Sequence, residues 1–94
     1  MKDKTRAHVV ISGRVQGVFF RMETKQVADS FNVSGWVKNN RNGTVEAVFE
    51  GEKAAVHSVV EWCRKGPPNS KVSSVNVIEE DYKDEFRRFE IIYR

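Results

Sequence analysis

The pattern of apolar and polar residues in the first third of the chain predicts a strand followed by a helix. The β-branched run Val9-Val10-Ile11 predicts a strand over residues 7–13, which ends at Ser12-Gly13. After a short loop, a helix over about residues 20–31 is predicted because apolar residues recur on one helical face. These are Phe20, Val27, Ala28 and Phe31.

The remaining two thirds contain four further strands and one further helix. Alternating residues predict strands at 33–38 and 44–49, and the Asn42-Gly43 pair between them favours a tight turn. A single apolar stripe predicts a second helix over about 52–65, which Gly66 and two prolines end. Strands at 72–78 and 89–93 complete the chain.

The order of these elements predicts an α+β fold. Two helices with one apolar stripe each must cover one face of a mainly antiparallel sheet. The order βαββαβ, plus a C-terminal strand, is that of the ferredoxin-like split βαβ sandwich. We expect a single domain over residues 1–94, in which residues 1–6 are loosely ordered.

Composition narrows the class of protein. The 94 residues include 16 basic and 13 acidic side chains, a net charge of +3, which is weak for a nucleic-acid tail or a membrane anchor. The single cysteine, Cys63, excludes an internal disulfide, and no apolar run approaches the roughly 20 residues that cross a bilayer. The polar N-terminus does not resemble a signal peptide. We therefore expect a cytoplasmic protein without nucleic-acid or membrane partners. We also expect a monomer, because no apolar stripe is left over once the two helices and the sheet are assigned.

The usual catalytic groups are poorly placed in this sequence. His8 and His57 have no third ligand at metal-binding spacing, so we predict no metal site. Cys63 lies six positions from His57, on a different side of the second helix, and is expected to be buried and inert. The acidic runs 79–81 and 84–85 are interpreted as a solvated face.

The loop between the first strand and the first helix is the best candidate site. Gly13 and Gly17 flank a turn that leads directly into a helix N-terminus, where free N–H groups and the helix dipole favour an anion. Arg21 is mildly unfavourable there, by roughly 0.3–1 kcal/mol, unless it shares a bound phosphate. A plain strand-to-helix turn with a surface arginine is the alternative interpretation.

This loop carries a resemblance to a known family. Gly13-Arg14-Val15-Gln16-Gly17-Val18-Phe19-Phe20-Arg21 resembles the first signature of the acylphosphatases, and Gly35-Trp36-Val37-Lys38-Asn39 resembles the second. The resemblance extends from about residue 7 to the C-terminus. Two small departures, Asn42 where aspartate is common and Ser70 where alanine is common, leave the two signatures intact.

The resemblance implies hydrolysis of acyl phosphates to a carboxylate and inorganic phosphate, without a metal or other cofactor. Arg21 and Asn39 correspond to the family's two catalytic side chains. By resemblance, Arg21 binds the phosphoryl group together with loop backbone N–H groups, and Asn39 holds the attacking water. The loop residues implied are Val15, Gln16, Gly17, Val18, Phe19 and Phe20.

Two other function classes compete with this interpretation. RNA-recognition domains share the βαββαβ plan, but they present an aromatic-rich strand that this chain lacks. An anion-binding protein without turnover, or a domain of a larger carbamoyl-transferring enzyme, is the second alternative. The length of the chain leads us to expect a free-standing enzyme. The identity of the acyl group is not predicted.

Overall fold

A computed structural model describes residues 3–93 of the chain as five strands and two helices. The strands are β1 (Lys4–Arg14), β2 (Ser34–Asn39), β3 (Val45–Glu52), β4 (Lys71–Glu80) and β5 (Phe89–Ile92). The helices are α1 (Phe20–Ser30) and α2 (Lys53–Lys65). The predicted order of elements is thereby confirmed.

The five strands form one sheet in the order β4-β1-β3-β2-β5. Neighbouring strands are antiparallel except β2 and β5, which run parallel. Strand β3 lies between β1 and β2, which α1 connects, and β1 lies between β3 and β4, which α2 connects. Both βαβ units are therefore split by an inserted strand, which confirms the predicted ferredoxin-like α+β fold.

The first strand begins earlier than predicted. Lys4 pairs with Glu52 of β3, and the backbone N–H of Lys53 donates to the Asp3 carbonyl at 2.9 Å. The expectation that residues 1–6 are loosely ordered is therefore wrong for residues 4–6, while Met1 and Lys2 lie outside the described residues. The strand extends because its pairing partners, more than 40 positions away, continue to Glu52.

Each helix buries one stripe against the sheet. Helix α1 buries Phe20, Thr24 and Ala28. The buried Thr24 hydroxyl donates a hydrogen bond to the Phe20 carbonyl at 2.7 Å. Phe31, predicted on this stripe, is instead 43% exposed, because it follows the last helical turn. Helix α2 buries Val56, Val59, Val60 and Cys63. Neither helix within residues 3–93 is long and apolar enough to span a membrane.

The acidic segment after β4 folds back over the sheet face that the helices leave open. Buried Glu50 accepts hydrogen bonds from the backbone N–H groups of Lys83 (2.8 Å) and Glu85 (3.0 Å). Arg6 contacts Glu50, Glu80 and Glu85 at 3.2, 3.0 and 2.6 Å. The acidic runs therefore lie mostly exposed, as predicted, although Glu80 is half-buried and both Glu80 and Glu85 also pair with Arg6.

Candidate active site

The loop between β1 and α1 is fixed at both ends by buried side chains. Val15 is 1% exposed and Phe20 is 2% exposed, and both belong to the main core. The Phe20 ring packs against the Trp62 ring of α2, with 5.5 Å between centroids. Gly66 lies so close to Phe20 that a Cβ there would come within 2.8 Å of the ring. The start of α1, and with it Arg21, is consequently held by packing.

Between these two anchors the backbone takes a left-handed conformation at two residues, Gly17 and Phe19. Gly17 has φ +75°, and a Cβ added there would meet nothing within 4 Å. Phe19 also has a left-handed conformation (φ 66°, ψ 22°), which is uncommon for a bulky residue and marks a local constraint. Left-handed residues interrupting a turn aim successive N–H groups to one side, as in anion-binding nests.

The N–H groups of this loop donate to no carbonyl or side chain among residues 3–93. The run extends over residues 16–22, and the first donated bond of the helix runs from Glu23 N to the Phe19 carbonyl at 3.0 Å. The positive end of the α1 dipole lies at the same place. Seven consecutive unpaired donors make this loop a candidate binding site for an anion, whose oxygens would accept their hydrogen bonds.

Arg21 stands beside these donors and has no acidic partner in the described part of the chain. Its guanidinium carbon lies 5.1 Å from the centre of the Tyr93 ring, and no ion pair or hydrogen bond of its side chain is formed within residues 3–93. An aromatic face orients a guanidinium without using any of its N–H donors. The fork therefore remains free to bind an oxyanion. Nothing in the sequence around Tyr93 indicates that its ring contacts Arg21.

Asn39 is the last residue of β2 and pairs with Val45 of β3. Its Oδ1 atom is buried and accepts no hydrogen bond from any described residue. A buried acceptor without a donor costs about 1–3 kcal/mol, so such atoms are rare and call for an explanation. The amide oxygen is available to a donor that is not part of the chain.

The side chain of Gln16 connects the loop to the turn that follows Asn39. Its Nε2 group donates to the Asn40 carbonyl at 2.8 Å and to the Thr44 carbonyl at 2.9 Å. The sequence-based interpretation had assigned Gln16 a backbone role alone. A long polar side chain beside the glycine of an anion loop is a signal for such a contact, but its partners are 24 and 28 positions away.

The other titratable side chains do not join this site. His8 Nε2 lies 2.5 Å from Glu46 Oε2, and His57 Nε2 lies 3.0 Å from Glu79 Oε2. Burial raises the pKa of the Cys63 thiol to about 12, which confirms the predicted buried cysteine and removes it as a nucleophile at neutral pH. No three His, Cys, Asp or Glu side chains within residues 3–93 are grouped to hold a metal ion.

Comparison with known proteins identifies the family. The acylphosphatase family model matches residues 7–91. An acylphosphatase of Syntrophobacter fumaroxidans is 56% identical over 97% of this chain and 94% of its own length. One from Pelotomaculum thermopropionicum is 50% identical over 96% of this chain and 98% of its own. The crystal structure of acylphosphatase from Bacillus subtilis superposes with a TM-score of 0.91 at 39% identity, covering 95% of this chain and 99% of that one. The chain belongs to the acylphosphatase family.

Proposed function

We propose that this acylphosphatase hydrolyses the carboxyl–phosphate bond of small acyl phosphates, with Arg21 and the loop of residues 15–20 holding the phosphoryl group and Asn39 orienting the attacking water. The observation that carries this assignment of roles is the run of unpaired N–H groups at residues 16–22, beside an arginine without an acidic partner within residues 3–93. Both features favour a phosphate, and neither is explained by packing.

Both the loop N–H groups and the Arg21 guanidinium bind the phosphoryl group. The backbone N–H groups of residues 16–19 donate to no other group within residues 3–93, so they are available to phosphoryl oxygens, and the planar fork of Arg21 can add two parallel charge-assisted bonds. Phosphoryl transfer to water spreads negative charge over the equatorial oxygens in the transition state. Donors that are already in place stabilise this charge without reorganisation.

Asn39 serves to orient water and not to remove its proton. A carboxamide does not accept a proton at neutral pH, but its Oδ1 atom accepts a hydrogen bond. A water that donates one hydrogen to Asn39 Oδ1 has a lone pair directed away from that bond, toward the phosphorus. The buried, unpaired state of Oδ1 within the described chain supports this role. Fixing the water in line with the scissile bond lowers the entropic part of the barrier.

The leaving group makes a general acid unnecessary. The carboxylate that departs has a conjugate acid of pKa about 4–5, comparable to side-chain carboxyls, so it leaves without protonation. The water oxygen forms a bond to phosphorus, the phosphorus–oxygen bond to the carboxyl group breaks with its electron pair going to the carboxylate, and the water proton passes to a phosphoryl oxygen. One acyl phosphate dianion and one water thereby give one carboxylate and one dihydrogen phosphate.

The expected setting of this reaction is also a proposal. The mild net charge of +3 supports a protein without nucleic-acid or membrane partners. The single, buried Cys63 suits a reducing compartment, and we propose the cytoplasm. We propose a monomer, because one chain supplies every part of the site. Gln16 of the loop bonds to the turn after Asn39, Arg21 contacts the Tyr93 ring, and α1 packs on β2 and β5.

The test is release of inorganic phosphate from benzoyl phosphate, measured with and without excess EDTA. We expect turnover that the chelator does not change, and its loss in Arg21→Ala. Absence of turnover in the wild-type protein would reject the proposed function. Salt-dependent binding of an RNA oligonucleotide, if found without phosphate release, would instead favour the RNA-binding alternative.

A further inference from the structure

The two hydrogen bonds of the Gln16 side chain join the two halves of the proposed site. On one side, Gln16 lies in the phosphate loop between buried Val15 and the left-handed Gly17. On the other side, its Nε2 group contacts the carbonyls of Asn40 and Thr44. Asn40 directly follows Asn39, and Thr44 directly precedes Val45, the residue with which Asn39 pairs across the sheet.

The carbonyls that receive these bonds are otherwise fixed within the turn. The Thr44 carbonyl also accepts from Asn40 N at 2.8 Å, and the Asn40 carbonyl also accepts from Gly43 N at 3.2 Å. Each oxygen has two lone pairs, so Gln16 completes the bonding of both. The Asn40 side chain donates to the Thr44 hydroxyl at 3.0 Å, which closes the turn further. The turn is thus held together by its own hydrogen bonds, and the Gln16 side chain links it to the loop.

We propose that Gln16 is a positioning residue, whose side-chain amide sets the distance and orientation of Asn39 relative to the phosphate loop. This inference rests on the proposed function, because it assumes that the phosphoryl group binds at the loop and the water at Asn39. The chemistry requires both in one line, and a misplacement of about 1 Å costs on the order of 10²-fold in rate. Loop and strand β2 belong to separate elements, so their relative position needs a direct contact.

Loss of the Gln16 side-chain amide should lower turnover much more than it lowers phosphate affinity. The N–H donors at residues 16–22 and Arg21 belong to the loop and α1, which Val15 and Phe20 anchor independently of the turn. Loss of the side-chain donors therefore leaves the phosphate site in place and displaces only the water site. A residue with a merely structural role would lower the melting temperature without this split.

The experiment compares Gln16→Met, which keeps the length of the side chain and removes both donors, with Gln26→Met as the matched control. Gln26 lies exposed on α1 and its side chain makes no hydrogen bond within residues 3–93. With benzoyl phosphate, well below the melting temperature of each protein, we expect kcat of Gln16→Met to fall by about tenfold to a hundredfold. The inhibition constant of inorganic phosphate should stay within about threefold, and Gln26→Met should match the wild type.

Three results would overturn the proposal. These are a Gln16→Met enzyme with kcat within about twofold of the wild type, an equal loss of kcat and phosphate affinity, and an equal loss in Gln26→Met. A wild-type protein that releases no phosphate contradicts the proposed function itself, which is a separate outcome. Gln16→Glu, which at neutral pH presents a carboxylate to two carbonyl oxygens, should lose at least as much kcat as the methionine variant.

A measurement on the wild-type protein covers the case in which the variants do not fold. In NMR spectra, the two Nε2 protons of Gln16 should exchange slowly with solvent, because both are hydrogen bonded. Addition of inorganic phosphate should shift the Asn39 side-chain amide resonances together with the backbone resonances of residues 16–19. Rapid exchange of the Gln16 amide protons, or a phosphate response confined to the loop, would contradict the proposal.

Discussion

The guanidinium carbon of Arg21 lies 5.1 Å from the centre of the Tyr93 ring. Tyr93 follows β5, whereas Arg21 is the second residue of α1, so the contact joins the edge of the sheet to the start of the first helix. It orients a cation that the helix dipole disfavours at this position. The N–H groups of the fork stay unused because the ring accepts no conventional hydrogen bond from them.

We expect Tyr93→Leu to weaken inhibition by inorganic phosphate by about twofold to fivefold, the scale of an exposed cation–π contact of roughly 0.5–1 kcal/mol. Tyr93→Phe retains the ring and should match the wild type. Phe31→Leu, an exposed aromatic at the other end of α1, is the control. Equal phosphate inhibition in Tyr93→Leu and the wild type would mean that the ring does not prepare Arg21 for binding.

Replacement of Arg21 by lysine should be nearly as damaging as replacement by alanine. A lysine carries the charge but not the planar fork that binds two phosphate oxygens at once. We expect kcat/KM for benzoyl phosphate to fall in both variants by a factor on the order of 10³, the lower end of the range for an arginine on a transferring phosphoryl group. Arg64→Lys, on the exposed face of α2, is the control. A lysine variant with wild-type kcat/KM would reject bidentate binding.

The fold was predictable because its determinants are local. The apolar spacing of α2, the Gly66 terminus and the Asn42-Gly43 turn each specify their own element, and the order of elements then leaves few arrangements. The early start of β1 at Lys4 was missed, since it depends on pairing with Glu52. Local signals contain no information on such a partner.

In the site, too, features set by neighbouring residues could be predicted, and contacts between distant residues could not. The glycines of the loop, Arg21 and Asn39 lie in two short motifs, so the sequence indicates them directly. The Gln16 side-chain bonds and the Tyr93 ring contact join residues 24 to 72 positions apart, so nothing local to Gln16 or Arg21 identifies these partners. The burial of Glu50 is similar, since its donors lie 33 and 35 positions further along the chain.

Cys63 should be nearly unreactive in the folded protein. With a pKa raised to about 12 by burial, its thiolate fraction at pH 8 is on the order of 10⁻⁴, against about a quarter for an ordinary thiol. Labelling by an aromatic disulfide reagent should therefore follow unfolding of the chain, and a denaturant should restore rapid reaction. Fast stoichiometric labelling of the native protein would show that α2 opens at that position without global unfolding.

The contact between His8 and Glu46 predicts a contribution to stability that acid removes. Burial opposes ionisation of Glu46, but hydrogen bonds with His8 and Asn40 and the charge of Lys38 outweigh it, so the pKa of this carboxyl is lowered in the fold. The unfolded chain then binds the proton more tightly. The stabilisation is accordingly complete above the unfolded value of about 4.3–4.5 and is lost as the pH falls through the lower folded value.

Glu46→Gln should therefore narrow the difference in free energy of unfolding between pH 7 and pH 3, measured by urea denaturation at both values. Asp81→Asn is the control, because Asp81 is exposed and its side chain has no partner within residues 3–93. An unchanged difference in Glu46→Gln, equal to that of the wild type, would show that the His8 contact does not stabilise the fold.

Asn39→Ala tests whether the buried amide oxygen acts on the water. The substitution removes an acceptor that no described residue satisfies, so it should not destabilise the fold through a lost hydrogen bond. It also leaves the loop donors of residues 16–22 in place. We therefore expect kcat to fall by a factor on the order of 10²–10³, the scale of one oriented polar group, with inhibition by inorganic phosphate largely preserved.

Asn39→Asp refines the same test, since a carboxylate is a stronger acceptor but brings a negative charge toward the phosphoryl group. Above its pKa this variant should lose phosphate affinity as well as turnover, in contrast to Asn39→Ala, because the carboxylate repels the phosphate anion. Kinetics with benzoyl phosphate and phosphate inhibition, measured side by side for both variants, separate the two effects. If phosphate binding in Asn39→Ala collapses as far as kcat does, Asn39 supports the phosphate loop and does not orient the water.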